Sequence, residues 1–391
     1  MPDMPAKKRP APPAAASRPT RPRTAQKRST KKGATGPIKK TATGPIKKTA
    51  SRPTRREPAG EVVLGNVPSG TRSAGVLGVL GGLLLAVSVV LPQLAVGDQR
   101  VVLGDSLATV VVSWIWPLTI IAAGLNIVLG RYPRLGLAAL GVAAGISVAG
   151  LLDQLYWASQ AAARGRYEII AGRRLLTSQV EPLVGWYVAV AALVVLVAVG
   201  LAVGWLWSRV VMDDSESLDP GRPILGGLAA VGGVAAVLAL GATLVQIPDE
   251  VTVSQQPFAG ALRPVQNITP IEGAIGLFDR PGLALTAGLV LSGVLVFFSV
   301  FATTLRPRLA VVGALGAFTA YLIALAGRAL IDAARSTDIE ATVGGWGLLV
   351  IGFGFAALTL LALRWHPPVR PVTRELAMRP ASRRALKKGL I

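Results

Sequence analysis

The sequence predicts an all-α integral membrane protein: eight transmembrane helices set as two parallel four-helix repeats, with disordered basic tails at both ends. Three observations carry that expectation. Eight apolar runs of about 18 or more residues have no charge in their middle third. A short basic connection, Arg131-Tyr132-Pro133-Arg134-Leu135, returns as Arg306-Pro307-Arg308-Leu309 between two later runs. The formal charge of +21 is carried by the two ends of the chain.

Composition excludes a soluble protein of this size: the 391 residues are 52% hydrophobic, with a mean hydropathy of +0.54. Residues 1–72 hold 18 Lys and Arg against Asp3, Glu57 and Glu61, and residues 365–391 hold seven against Glu375. The 16 basic and 16 acidic residues between the tails cancel. With no Cys, neither a disulfide framework nor a thiol nucleophile is possible. The lone His366 lies in the C-terminal tail, which removes a His-based metal site or general base from the membrane. The first apolar run begins more than 70 residues in, so no cleavable secretory signal is expected. Phosphate loops, dinucleotide fingerprints, His-Glu zinc helices and nucleophile elbows are all missing from the sequence. The expectation is a non-enzyme that needs no cofactor; the acidic pair Asp98 and Asp105 alone is too little to suggest glycosyl transfer.

Residues 1–60 are Pro, Ala, Thr, Lys and Arg with almost no large apolar side chains, so they cannot bury enough surface to offset the entropy of folding. ATGPIKKT occurs at 34–41 and again at 42–49, and SRPTR at 17–21 and 51–55. Lys39, Lys40, Lys47, Lys48, Arg52, Arg55 and Arg56 are candidates for binding the anionic inner leaflet. The part farther from the membrane can reach an acidic protein or nucleic acid.

The spans are expected near 73–96, 107–130, 135–155, 183–207, 224–246, 281–304, 309–333 and 344–364. They divide the chain into a disordered tail (1–72), a first repeat (73–207), a linker (208–223), a second repeat (224–364) and a basic tail (365–391). Eight spans put both tails and both basic turns on one side. The turns carry four Arg and no acid, so that side is expected to be cytoplasmic at the plasma (inner) membrane. The 156–182 connection, placed outside with Arg164, Arg166, Arg173 and Arg174, argues the other way, but long loops weigh less in this rule.

The halves match at several points. Arg72 and Arg222 precede a Gly pair at similar depth, Gly81-Gly82 or Gly232-Gly233, and Gly185-Trp186 or Gly345-Trp346 opens the fourth helix after Glu181 or Glu340. Four helices per repeat is an even number, so the copies share one orientation and their pseudo-two-fold axis runs along the membrane normal. Small residues at four-residue spacing (Ala74, Gly78, Gly82; Gly141, Gly145; Ala229, Gly233) are expected to pack helices inside the bundle. Most of the eight Trp fall near helix ends, as in an interfacial aromatic belt, whereas Trp114 and Trp116 beside Pro117 lie deeper. Asp153, Arg328 and Asp332 are the charges nearest the apolar zone. Arg328 stands 19 residues beyond Leu309, a climb of roughly 28 Å that takes it to the outer boundary. Asp332 can pair with it at i, i+4, and a small polar pocket at the outer mouth is the other reading of these three. Among the long connections, 247–280 mixes Val-Thr-Val with Pro and reads as an extended flap.

The Cys-free, Ala/Gly/Val/Arg-rich style with its Lys/Thr/Pro tail resembles uncharacterised membrane proteins of actinobacteria. In layout each half also resembles the four-helix membrane protein family associated with the tryptophan operon there. The basic turns Arg131–Arg134 and Arg306–Arg308 and the helix-opening Trp186 and Trp346 carry that likeness over about residues 72–365. It implies the four-helix layout of each half and no activity; the doubling and the basic tail depart from it. On function, the sequence favours a non-catalytic envelope scaffold or adaptor within an envelope-protein complex. The alternative is a transporter or channel subunit for a neutral or lipidic substrate.

Overall fold

The computed structural model describes residues 62–159, 167–214, 218, 221–246, 250–258, 261–269, 282–337, 339–365 and 371–373. A short strand, β1 (Val62–Leu64), leads into α1 (Ser69–Val90), the hairpin β2 (Pro92–Val96) and β3 (Gln99–Val102), α2 (Leu107–Val128) and α3 (Pro133–Ala158). The hairpin β4 (Tyr167–Ile170) and β5 (Arg173–Leu176), then β6 (Val180–Pro182), precede α4 (Val184–Leu206). After β7 (Met212–Asp214) come α5 (Arg222–Gly241), β8 (Val245–Gln246), the hairpin β9 (Glu250–Phe258) and β10 (Ala261–Thr269), and α6 (Leu283–Thr304). The chain continues through α7 (Arg308–Arg335), β11 (Glu340–Ala341), α8 (Val343–Arg364) and β12 (Pro371–Thr373).

All eight α-helices are long and apolar enough to cross a membrane, which makes this a multi-pass membrane protein. Two expected boundaries move. Proline at 92 has no N–H to give, and Leu91 before it is extended (φ −90°, ψ 149°), so α1 stops at Val90 and Pro92–Val96, expected as helix, becomes a strand. Likewise α5 stops at Gly241, and Val245–Gln246 pair instead with β11. The flap expected in 247–280 contains an antiparallel hairpin, β9 with β10.

Packing ranks the helices. The apolar windows of α3 and α7 are 61% buried against 22–39% for the other six, so these two form the centre. Helix α1 packs on α2 and α4, and α3 on α2 and α4; α5 packs on α6 and α8, and α7 on α6 and α8. The two groups meet through α3–α7, α3–α6 and α2–α7. Outer faces remain apolar, as at Leu201 and Val350 (76% and 69% exposed), which suits lipid and not water. Small residues set the close approaches: a Cβ on Gly75 would lie 2.9 Å from the Gly124 carbonyl, and one on Gly124 would lie 2.7 Å from the Gly75 carbonyl. Gly78, Gly82, Gly145 and Gly233 abut Leu140, Ile121, Phe298 and Ser299, so the small-residue stripes pack the bundle internally.

One face of the bundle is basic. There β1 pairs in parallel with β12 and antiparallel with β7, which brings the start of α1 and the ends of α4 and α8 together. Arg134 Nε donates to the Val210 carbonyl (2.9 Å) and its Nη1 to the Arg306 carbonyl (2.7 Å), tying the first basic turn to the second. Arg222 Nη1 lies 3.1–3.3 Å from the carbonyls of Thr303, Thr304 and Leu305, groups that the end of α6 leaves without helical partners. The opposite face carries the β2–β3–β6 sheet, the β4–β5 hairpin and the β8–β11 pair. A second apolar cluster gathers there, with Leu94, Val101, Tyr156, Trp157, Ile170 and Trp186.

Candidate functional site: a polar-mouthed cavity between the two helix groups

A cavity of about 580 Å³ opens among α1, α2, α3, α4, α6 and α7 on the face opposite the basic turns. Its volume falls within the roughly 300–1,000 Å³ of small-molecule sites. Asp153, Arg328 and Asp332, singled out from the sequence as a boundary pair or polar pocket, all line it. Arg328 Nε and Asp332 Oδ2 are 3.7 Å apart one turn along α7, with side chains 23% and 12% exposed. Asp153 lies twenty residues beyond Pro133 on α3, and Arg328 twenty beyond Arg308 on α7, so the two central helices bring opposite charges to the same height. Lys39, Lys40, Lys47, Lys48, Arg52, Arg55 and Arg56 lie outside the described residues.

The end away from the basic turns is capped by a feature that the sequence left as a loop. In the β4–β5 hairpin, Glu168, Ile169, Ala171 and Gly172 line the cavity. The turn itself, Ala171 and Gly172, has positive φ at both residues (51° and 72°), the geometry of a tight two-residue hairpin. Gly172 is pressed against α7: a Cβ there would lie 2.9 Å from Asp332 Cβ, so a larger residue would push the turn off the mouth. Beside it, Arg173 Nη2 lies 3.7 Å from Asp105 Oδ2, and Arg335 Nη1 lies 2.9 Å from Asp105 Oδ1. Asp105 precedes α2 and Arg335 ends α7, so this carboxylate joins the two helix groups beside the cavity mouth. Partial burial alone would raise its proton affinity, but hydrogen bonds from Arg335 and Thr109 and the charges of Arg335 and Arg173 prevail, holding the carboxyl below the ordinary carboxylate range. Asp98 sits at the exposed β2–β3 turn.

Further in, the lining becomes apolar with isolated polar groups. Trp116 and Tyr321 meet edge to face across α2 and α7, ring centroids 5.3 Å apart. Pro117 lies inside α2 and has no N–H for the Ser113 carbonyl four residues back, and the buried Ser113 Oγ has no hydrogen-bond partner either. Both residues line the cavity, which makes a polar notch at mid-helix. Ser147 Oγ donates to the Ala143 carbonyl (2.7 Å), Ser88 Oγ to the Leu85 carbonyl (2.8 Å) and Gln93 Nε2 to the Ser88 carbonyl (3.0 Å). Small residues on α4 and α6 (Ala189, Ala284, Ala287, Gly288) line the space beside α3, on which both helices pack. Pro117 was the only sequence sign of the notch, and nothing local in the sequence marks that space. No group of three or more His, Cys, Asp or Glu among the described residues could hold a metal ion. Compared with protein-family models, curated proteins and solved structures, the chain matches none.

Proposed function

We propose that the chain is a plasma-membrane carrier, or the membrane subunit of one, that takes a small amphipathic molecule into this cavity from the outer side. The observation that carries the reading is depth: the lining reaches Trp116, Pro117 and Ile146, the middle of α2 and α3. Protein interiors hold few voids larger than a water molecule, and each void loses packing contacts. A scaffold has no use for such a space; a carrier requires it. The apolar walls and charged mouth match an amphipathic or lipidic substrate better than an ion.

The proposal includes two parallel repeats about a pseudo-two-fold axis along the membrane normal. Exchanging α1–α4 for α5–α8 reproduces every helix contact but the slight one between α1 and α3, which supports it. So does the equivalence of the β2–β6 and β8–β11 pairs, which hold Glu181 and Glu340. The basic face would be cytoplasmic, with both termini there and the N-terminal tail on anionic lipid or an acidic partner.

The naturally Cys-free background gives a direct test. Gly150→Cys, whose Cβ meets only Leu193 at 3.4–3.6 Å, should react with a water-soluble, membrane-impermeant thiol reagent added outside. Val194→Cys, on a lipid-facing surface (50% exposed), should not react. A cavity thiol that reacts only from inside would reverse the orientation, and one inert from both sides would remove the carrier reading.

A further inference from the structure

The β4–β5 hairpin is anchored by apolar packing at one side of the cavity mouth and held only lightly at the other. Among the described residues its two strands pair only with each other, and a lone two-stranded hairpin is marginal in water. Its position is therefore set by what it packs against. Ile170 and Leu175 sit in the apolar cluster with Leu94, Val101, Trp157 and Trp186 of the first half, a contact that is non-directional and tolerates tilting. The turn reaches across to α7 in the second half, where Gly172 lies against Asp332. Having no side chain, Gly172 interlocks with nothing there. Ile169 and Ala171 give the hairpin an apolar underside on the cavity. The directional hold beside the turn is slight: Arg173 Nη2 is 3.7 Å from Asp105 Oδ2, beyond hydrogen-bond length, and its side chain is 55% exposed. Asp105 itself is fixed from elsewhere, by Arg335 Nη1 at 2.9 Å and by Thr109 Oγ1, which donates to it at 3.2 Å. The carboxylate thus stays in place when Arg173 lets go.

From this geometry we infer that the β4–β5 hairpin is the lid of the cavity: it tilts on its apolar anchor, Gly172 leaves Asp332, and the Arg173–Asp105 contact is the latch that sets how often this happens. The inference rests on the carrier reading, and the experiment separates the two. Full-length Gly150→Cys protein in maltoside detergent is labelled with a bulky, neutral, water-soluble maleimide, and rates are compared between variants of that background. When opening and closing are fast relative to the reaction, the rate follows the open fraction. Arg173→Gln should speed labelling about two- to fivefold, the ratio set by losing an exposed pair worth about 0.4–1 kcal/mol. Gly172→Leu should speed it at least as much without any change of charge, because a side chain there has no space against α7. Arg100→Gln removes an exposed charge from β3 on the same face and should change nothing. Unchanged rates in both hairpin variants would make the hairpin a fixed wall and overturn the lid while leaving the carrier intact. An equal effect of Arg100→Gln, or labelling of the lipid-facing Val194→Cys in the Arg173→Gln or Gly172→Leu background, would also overturn it, since the change would then not be local to the mouth. Acceleration by Gly172→Leu alone would remove Arg173 as the latch. A Gly150→Cys thiol that is inert in every background would refute the carrier reading instead.

Discussion

Removing Arg328 should cost far more than removing both members of its pair. At 3.7 Å and an effective dielectric of about 20, the attraction between Arg328 and Asp332 is about 4–5 kcal/mol. Much of that offsets the loss of hydration, since the two side chains are only 23% and 12% exposed. Arg328→Met strands Asp332 in a weakly hydrated site with Asp105 as a like-charged neighbour, so it should destabilise by about 3–5 kcal/mol. Asp332→Leu should cost less, because Asp105 also acts on Arg328 and can draw it outward. The double variant should recover most of the loss, since a buried pair replaced by apolar groups is often close to neutral. Reversible unfolding in mixed micelles measures all four proteins, and a coupling of about 3 kcal/mol or more is expected, at the upper end of the usual range for contacting residues. If the two single effects add to the double within about 0.5 kcal/mol, the pair does not act as a unit and the argument fails.

Four further outcomes follow from the geometry. Gly124→Leu should destabilise by at least 1–3 kcal/mol, roughly the cost of overpacking, because its Cβ would meet α1 backbone within 2.7–2.9 Å; Gly204→Leu, with nothing within 4 Å, should be near neutral in the same unfolding assay. Arg222→Gln should lose about 1.5–3 kcal/mol, the range for hydrogen bonds to a charged group, and proteolysis should then reach the end of α6 first. Because the folded state holds the Asp105 carboxyl low, its contribution is fully present above the ordinary carboxylate range and is lost as pH falls through the lower folded value. An acid series of thermal midpoints should therefore steepen in wild type and flatten in Asp105→Asn; parallel curves would contradict this. A synthetic peptide of residues 1–60 should bind anionic vesicles with affinity falling steeply as salt rises, and a scrambled peptide should bind equally well. Loss of binding on scrambling would make the tail a sequence-specific motif.

How much of this was readable beforehand depends on the range of the interaction concerned. The spans were legible because the absence of charge over a bilayer's thickness is a local property, and Pro133 and Pro307 mark where α3 and α7 begin. The ends of α1 and α5 were misjudged by several residues because Leu91–Val96 and Val245–Gln246 carry no charge, so the uncharged run continues past each helix end. Pro92 is the local sign of the first stop; pairing with the adjacent β3 and with the distant β6 and β11 makes the segments strands. The Arg328–Asp332 spacing was legible for the same local reason as the spans. Its setting was not: whether that pair closes a dry boundary or opens a cavity depends on how α4 and α6 pack against α3 beneath it. Gly145 lets Phe298 of α6 close in on α3, whereas Ala287 and Gly288 of the same helix line the cavity. A glycine or alanine in a membrane helix reads the same in sequence whether a neighbour fills its space or not. The cavity therefore arises from packing between helices far apart in the chain, and the sequence contributes the charged and aromatic groups that give the resulting space its chemistry.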